Sequence, residues 1–345
     1  DLPKVYVDIY DRTHKSDSVI TENVYSSYEL TNYLIQQGHT KIGFVGTVGS
    51  TTSISDRYLG YLRSMLEEGI HPEEKWMIPD RSEEGTAIEL SLPEDLPTAF
   101  VCNCDETAFR LVRTLKERGI RVVAYDRMLE NANVDLYLSF DSEKVGEIYG
   151  DAITRKFPKG AQILEVLGSS EDYNVKLMEK GLASKLGSTY KVVEKNYAKG
   201  WIAEQAYDIV SEYFSKGNSC DVVVCGNDDL ATQAIRALSE NQKAGKVYVL
   251  GQDGDLAACQ RIVEGTQGGT AFKNIDELAE NAADLCVKLA KGEDTGVKAT
   301  MSDGTYDVPS YQFSPVFVDS ENIDQVIIEG GFHTKEEVYL NKKAN

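Results

Sequence analysis

The sequence lacks the features that identify several large classes of protein. No run of about 18 apolar residues occurs, so no transmembrane helix is predicted. The first residues show neither a basic start nor an apolar segment, so no signal peptide is visible, although a removed one is compatible with this start. Histidine is scarce, with 4 in 345 residues, and no HExxH, GxSxG or GKS/T motif is present. An enzyme is therefore the least expected function, and no cofactor or metal is predicted.

Charge and cysteine spacing narrow the partners and the compartment. The formal net charge of -20 repels phosphate backbones, so no nucleic acid is expected as a partner. The six cysteines occur at CxC and Cx4C spacings without a histidine cluster, which argues against a zinc site. A disulfide framework is not suggested at this length, and six cysteines also suit the reducing cytosol.

What the chain does contain is a repeated alternation of apolar strands and amphipathic helices. Strands are predicted at 41–46, 98–102 and 122–125, with helices between them, of which the second has Asp105 as its N-cap. The same order repeats from residue 142 to a helix that ends at Gly292. Such alternation indicates an α/β fold of two doubly wound parallel-sheet lobes joined by a hinge.

The stretch 122–141 contains two strands with only a polar segment between them. We interpret it as the end of one sheet feeding directly into the next, which makes it a crossing between lobes. Further crossings are expected near 267–275 and 300–316. The predicted domains are an N-terminal strand and helix (1–38), lobe 1 (39–124 plus 274–300), lobe 2 with the hinge crossings (125–273 plus 301–335), and a polar tail (336–345). Residues 293–310 are expected to be irregular, with a turn at Asp303-Gly304, followed by an extended segment at 311–319 and a short helix at 320–331.

Polar and aromatic residues gather at the predicted carboxyl ends of the strands, where open parallel sheets bind ligands. A monosaccharide needs both donors and acceptors for its hydroxyl groups, and an indole ring for its C–H face. Helix capping is the alternative role for the Asp and Asn residues, and a place in the core is the alternative for the tryptophan. The seven candidates are Arg127, Asp172, Asn174, Trp201, Asn227, Asp253 and Lys273, and Asp228, next to Asn227, is a further polar residue of this group.

From about 122 to 337 the chain resembles the periplasmic D-xylose-binding proteins of ABC sugar importers. The resemblance rests on "AYDRM", "YLSFDSEKVGE", "DGDLAACQRIVEGTQ", "DVPSYQFSPVFVD" and "IIEGGFH", in that order. It implies the type I periplasmic-binding-protein fold and a xylopyranose held between two lobes. It also implies sugar contact by all seven candidates just named.

The first 120 residues resemble the effector-domain lobe of lactose-repressor-type regulators. The segments "SISDRYLGYLRSMLEEGI" and "LPTAFVCNCDETAFRLVRTLKERGI" carry this resemblance, which implies effector contact at Arg57. The regulator's helix-turn-helix is absent, so the chain looks like a hybrid. An exposed charge pair is the alternative for Asp56 and Arg57. The candidates in this part are Asp56 and Arg57, with Thr51, Thr52, Ser53, Asn103 and Asp105 beside them.

The sequence thus predicts non-catalytic binding of a monosaccharide, with D-xylose as the leading candidate, and closure of a hinge around it. The partners would be a pentose and either the membrane subunits of an ABC importer or a sensor kinase ectodomain. A periplasmic or extracellular location is expected. Two alternatives stay open: the effector-sensing domain of a sugar-responsive regulator without its DNA-binding part, and a chimeric protein with an incomplete sugar site.

Overall fold

The computed structural model describes residues 5–7, 17–82 and 85–341 of the chain. These residues form two compact units, of which unit 1 ends at Val122 and unit 2 begins at Val123. Both units alternate strands with helices, which confirms the predicted α/β class with sheets rich in parallel pairs. In the described part of the chain, no helix is long and apolar enough to cross a membrane.

Unit 1 contains one pair of strands and one three-stranded sheet in its described part. The strand β3 lies between β4 and β5, and all three strand pairings described for this unit are parallel. In chain order the elements are β1 Val5–Val7, β2 Asp17–Val19, α1 Asn23–Gln36, β3 Ile42–Val45, α2 Thr52–Glu67, a 3-10 turn Glu74–Trp76, β4 Met77–Ile78, β5 Ala99–Cys102 and α3 Asp105–Glu117.

The core of unit 1 forms around β3, in which every residue is buried. Phe44 packs against Tyr61 of α2, and the Tyr61 hydroxyl donates to the Ile42 carbonyl at 2.8 Å. Burial also raises the pKa of Tyr61. The helices α1 and α2 approach closely at Gly60, where an added Cβ would lie 2.0 Å from the Val24 carbonyl oxygen. This contact therefore depends on the absence of a side chain.

The start of α3 differs from the sequence prediction. Asp105 is not the N-cap, because it is already the first helical residue and Cys104 occupies the cap position. The carboxylate of Asp105 therefore lies in the first turn, where the helix dipole favours negative charge.

Unit 2 contains a six-stranded and a four-stranded sheet in its described part. Its elements in chain order are β6 Val123–Tyr125, β7 Leu136–Phe140, α4 Ser142–Lys156, β8 Gln162–Leu167, α5 Tyr173–Lys185, β9 Lys191–Tyr197, a 3-10 turn Lys199–Trp201, α6 Glu204–Ser215, β10 Val222–Cys225, α7 Asp228–Glu240, β11 Tyr248–Asp253, α8 Leu256–Glu264, β12 Gly269–Phe272, α9 Ile275–Lys291, β13 Thr300–Ser302, β14 Asp307–Phe313, β15 Val316–Val318, a π turn Asp324–Ile328 and α10 Lys335–Val338.

The six-stranded sheet has the order β15-β12-β11-β10-β8-β9, and only β15 runs antiparallel to its neighbour. Apolar clusters cover both of its faces, so β8 and β10 are almost entirely buried. This burial explains why β10 is a continuous apolar run and why β8 is apolar apart from Gln162 and Glu165. The carboxyl ends of β8, β10, β11 and β12 therefore meet at one edge of the sheet.

The prediction that 122–141 joins two different sheets is wrong. The strands β6 and β7 are parallel neighbours in the four-stranded sheet β13-β14-β7-β6. The polar segment between them turns back through residues with positive φ at Asp126, Asn131 and Asn133. Asp303 anchors it, because its carbonyl accepts the Asn131 N–H and its carboxylate accepts the Asn133 N–H, both at 2.7 Å. A loop of ten residues thus connects two parallel neighbouring strands, a connection that usually contains a helix.

The chain after Gly292 is more regular than predicted, since it contributes β13 and β14 to the sheet. The Asp303-Gly304 turn is present, with the Asp303 carboxylate accepting the N–H groups of Thr305 and Tyr306. The segment predicted as a polar tail instead forms α10, where Val338 is buried in an apolar cluster. Residues 342–345 lie outside the described residues.

The helix α9 packs against β7 of unit 2 through Leu278, Ala282 and Leu285. The sequence assigns this segment, 274–300, to the first lobe. The lobe division stays a prediction, and so does the role of 1–38, of which 1–4 and 8–16 lie outside the described residues.

Candidate functional site

A cavity of about 620 Å³ opens at the carboxyl ends of the strands of unit 2. Six of the seven candidates from this part of the sequence line it, and Asp172 lies directly behind two of them. The lining is mixed, with acidic, basic, amide and aromatic side chains. The lining residues are Tyr125, Asp126, Arg127, Phe140, Asn174, Trp201, Asn227, Gln252, Asp253, Lys273, Ile275 and Leu278.

Asp172 connects Arg127 and Trp201 at one wall of the cavity. Its Oδ2 accepts a hydrogen bond from the Arg127 guanidinium and another from the Trp201 indole Nε1–H, the latter at 2.9 Å. The guanidinium carbon also lies 5.4 Å from the centre of the indole ring, within cation–π range. The cation and the ring are thus fixed relative to each other before any ligand arrives.

The indole of Trp201 lies on bare backbone at the ends of β8 and β10. A Cβ added to Gly168 would lie 2.3 Å from the ring, and one added to Gly226 would lie 3.0 Å from it. The backbone turns toward this position through positive φ at both Gly200 and Trp201. Trp201 is half-buried, so part of the ring is open to the cavity.

The capping alternative holds for two candidates. Asp172 is the N-cap of α5, with Oδ1 accepting the Asn174 N–H at 2.9 Å, and Asn227 is the N-cap of α7, accepting the Leu230 N–H at 2.9 Å. Capping does not exclude ligand contact, because Asn227 lines the cavity as well. Asp172 uses one oxygen for the cap and the other for the site.

Asn174 lines the cavity and has a buried, unpaired acceptor atom. Its Nδ2 lies 3.4 Å from the Asp126 carbonyl, whereas its Oδ1 is buried and has no hydrogen-bond partner within the described chain. Buried polar atoms in proteins are nearly always paired, so this oxygen favours a donor supplied by a ligand or a water molecule.

Asp253 and Lys273 contribute an acceptor and a donor to the lining of the cavity. The Lys273 ammonium lies 3.4 Å from Asp253 Oδ1, and the lysine side chain is only 12% exposed. Asp253 has a φ of 105°, a conformation that residues other than glycine rarely adopt. Strained backbone of this kind is often found at ligand sites.

The candidates of unit 1 lie at the carboxyl ends of β3 and β5. Arg57 donates to Asn23 Oδ1 at 2.9 Å and to the Asn103 carbonyl at 2.6 Å. With Asn103 and Asp105 it lines a cavity of about 490 Å³ within unit 1. Asp56 is half-buried and does not line this cavity, and Thr51 is the N-cap of α2.

A fully buried carboxylate lies close to the candidates in each unit, of which Asp80 was not singled out from the sequence, whereas Asp228 was placed among the polar residues at the strand ends with helix capping as its alternative role. Asp80 of unit 1 accepts hydrogen bonds from Arg81, Asn103, Thr107 and the Thr47 N–H. Asp228 of unit 2 is equally buried and lies behind the cavity wall. Neither position has a sequence signal beyond its place after a strand. The cavity residues Gln252 and Phe140 were also missed, although both stand at strand ends, where the candidates were sought.

All six cysteines are free thiols, and Cys286 is the most exposed of them. In the described part of the chain, no group of His, Cys, Asp or Glu side chains is arranged to hold a metal ion.

Two α/β units and a polar cavity with an aromatic floor at the strand ends define a binding protein for a small polar ligand. A model of the periplasmic binding protein domain matches residues 99–294, and a model of the periplasmic binding protein-like domain matches residues 31–126. The chain belongs to the family of periplasmic binding proteins.

Individual relatives agree with both predicted resemblances. The D-xylose-binding periplasmic protein of Haemophilus influenzae is 41% identical over 240 residues, which cover 68% of this chain and 72% of that protein. The HTH-type transcriptional repressor PurR of Vibrio campbellii is 29% identical over 140 residues, covering 39% of this chain and 42% of the repressor. The two-part resemblance predicted from the sequence is thereby confirmed.

The fold agrees with solved structures. The ABC transporter solute-binding protein of Clostridium phytofermentans, determined with bound β-D-glucose, superposes with a TM-score of 0.61 at 22% identity. The match covers 97% of this chain and 99% of that chain. The predicted type I periplasmic-binding-protein fold is confirmed.

Proposed function

We propose that this protein binds a monosaccharide without transforming it, and that D-xylose is the first sugar to test. The observation that carries the proposal is the hydrogen-bonded arrangement of Arg127, Asp172 and Trp201 at the wall of a cavity that Asn174 also lines. It combines a flat apolar surface with fixed donors and acceptors, which a pyranose needs. The name of the relative from Haemophilus influenzae supports the choice of D-xylose.

Each lining group has a role in this proposal. The C–H face of the sugar lies on the indole of Trp201, and the Arg127 guanidinium donates to a ring or hydroxyl oxygen. Asn174 Oδ1 accepts from one hydroxyl group. Asp253 and Lys273 bind a pair of adjacent hydroxyl groups, one as acceptor and the other as donor. Asn227 completes the set with its remaining amide donors.

For unit 1 the proposed ligand contacts are Arg57 and Asp56. Arg57 has the stronger support, because its guanidinium already lines a cavity beside the polar groups of Asn103 and Asp105. The predicted hinge and the division into lobes belong to the same proposal. Ligand contact with both lobes would favour a closed state.

The periplasm is the proposed location, since the relatives of this family are named for it. There the protein would deliver its sugar to the membrane subunits of an ABC importer or report it to a sensor kinase ectodomain. Binding without chemistry suits this task, because the sugar must be released unchanged.

Tryptophan fluorescence gives a direct test, because the chain has only two tryptophans. Trp76 is buried in unit 1, with Nε1 donating to the Asp95 carbonyl, whereas Trp201 lines the cavity. In a Trp76→Phe variant, D-xylose should change the emission of Trp201 in a saturable manner. In the matched Trp201→Phe variant the emission of Trp76 should not respond. Calorimetry of the unmodified protein with pentoses and hexoses that shows no heat with any sugar would refute the proposal.

The second candidate function is the effector-sensing domain of a regulator, which the match to a transcriptional repressor favours. Such a domain would dimerise, so gel filtration with and without sugar distinguishes a regulator domain from a sugar-binding protein of a transport system. A monomer under both conditions contradicts the regulator function. A chimera with an incomplete site is the remaining alternative, and it predicts a flat calorimetric trace with every sugar.

A further inference from the structure

Asp228 lies behind the cavity wall and does not line the cavity. It is the first residue of α7 and is completely buried. Burying a carboxylate costs free energy unless several hydrogen-bond donors surround it. The partners of Asp228 therefore indicate its structural role.

The carboxylate of Asp228, which follows β10, binds the segment directly after β11 and the beginning of β12. Oδ2 accepts the Gly254 N–H at 2.9 Å, the Asp255 N–H at 3.2 Å and the Thr270 hydroxyl at 2.8 Å. Oδ1 accepts from Gln267 Nε2 at 2.8 Å. Two of these donors are the backbone groups directly after Asp253.

The strand β11 is shaped to admit this carboxylate. A Cβ added to Gly251 would lie 2.2 Å from Asp228 Oδ1, so only glycine leaves room at this position. The close approach is a second and independent sign that the contact is specific.

The loop that Asp228 holds is strained. Asp253 has a φ of 105° and Gly254 one of 87°. The ring of His333 contacts the Gly254 carbonyl at 2.9 Å from the other side. Without these contacts, a β or helical conformation would be favoured at Asp253, and its carboxylate would leave the position beside Lys273.

We propose that Asp228 is a positioning residue for ligand binding, which holds Asp253 in the conformation that presents its carboxylate to the cavity. The inference rests on the proposed function for the identity of the ligand, but the restraint on the loop is independent of any ligand.

The test uses Asp228→Asn, which keeps the size of the side chain but places an amide where only acceptors fit. Asp229→Asn makes the same change at the neighbouring exposed residue and is the matched control. Amide hydrogen exchange without sugar should accelerate about tenfold or more at Gly254 and Asp255 in the first variant only, because an amide donor replaces one of the two buried oxygens that accept these hydrogen bonds. Unchanged exchange at both amides would overturn the proposal whether or not any sugar binds.

A double-mutant cycle tests the route to the ligand. D-xylose affinity should fall about tenfold in Asp228→Asn, and the same substitution should have no further effect when Asp253 is already alanine. An equal loss in both backgrounds would show that Asp228 does not act through Asp253. If Asp228→Asn does not fold, Gly251→Ala displaces the carboxylate instead and takes the same two measurements. If the unmodified protein binds no sugar, the proposed function fails, and hydrogen exchange alone decides on the positioning role.

Discussion

Trp201 and Arg127 share a single acceptor, the Oδ2 atom of Asp172. The indole N–H and the guanidinium therefore depend on the same carboxylate, and the ring and the cation cannot be moved independently. A substitution at Asp172 should therefore alter the positions of both Arg127 and Trp201 in the proposed sugar site.

Asp172→Asn is expected to weaken D-xylose binding about tenfold without loss of stability. Asparagine caps a helix as well as aspartate does, so α5 is preserved. A neutral amide oxygen holds Arg127 and Trp201 less firmly than a carboxylate, and hydrogen bonds to charged groups are the stronger ones. Calorimetry measures the affinity for D-xylose, and thermal unfolding measures the stability of the variant. Glu171→Gln, at the exposed neighbouring position, is the control, and an equal loss of affinity there would contradict the explanation.

Gly168→Ala should displace the indole of Trp201 from its seat. The new methyl group would lie 2.3 Å from the ring, which no side chain tolerates without a shift. We expect the emission of Trp201 in the Trp76→Phe background to change even without sugar, and the affinity to fall. Gly187→Ala is the matched control, because nothing lies within 4 Å of its added Cβ. Unchanged emission in Gly168→Ala would mean that the ring does not rest on this backbone.

Asp80→Asn is predicted to destabilise unit 1 in a pH-dependent way. Burial alone would raise the pKa of Asp80, but donors on Arg81, Asn103, Thr107 and Thr47 together hold it well below its ordinary value. A group with a lowered pKa in the folded state stabilises above its unfolded pKa, about 4, and this contribution is lost as the pH falls through the folded pKa.

Urea unfolding between pH 7 and pH 3 checks this prediction. The wild-type protein should be the more stable at pH 7, and its advantage over Asp80→Asn should narrow below about pH 4. Glu68→Gln, at an exposed position of unit 1, should show no such trend. A constant difference between wild type and Asp80→Asn across this range would be inconsistent with an ionised, hydrogen-bonded Asp80.

Asp228 should show the opposite pH dependence. Burial, followed by the nearby charge of Asp253, raises the pKa of Asp228 to about 7, although Gln267 and Thr270 oppose the shift. The folded state then holds a proton that the unfolded chain releases near pH 4, so stability falls as the pH rises from about 4 to about 7. Relative to Asp228→Asn, the wild-type protein should lose on the order of a few kcal/mol over this range. If the difference in unfolding free energy between the wild-type protein and Asp228→Asn, measured by urea unfolding, does not change with pH, the prediction is wrong.

Much of the fold could be predicted from the sequence because local patterns determine it. Runs of mostly apolar residues identified β3, β8 and β10, and helix stops such as Gly292 were correct, with a left-handed φ as expected. The pairing of β6 with β7 could not be predicted, because it depends on Asp303, which lies about 170 residues further along the chain. The path of α10 was missed for a similar reason, since its burial depends on a distant apolar cluster.

The candidate site divides in the same way. Residues at strand ends could be found from spacing and resemblance, and most of them line one cavity. The contacts that hold the cavity-lining residues in place from behind could not be predicted from the sequence. Asp228 belongs to the polar residues predicted at the strand ends, with capping as its alternative role, but only the coordinates reveal the donors of Gly254 and Thr270 around it. Gly168 has no signal of its own in the sequence, because its function is to lack a side chain.

The seat of Trp201 on Gly168 and Gly226 has a thermodynamic consequence. Since the ring rests on peptide groups of two central strands, no flexible side chain must be ordered beneath it when a ligand docks. Immobilising a flexible side chain costs about 0.5–1.5 kcal/mol on association. Because this surface is already rigid in the folded protein, ligand binding does not include that loss of conformational entropy. More of the contact free energy therefore appears as binding affinity.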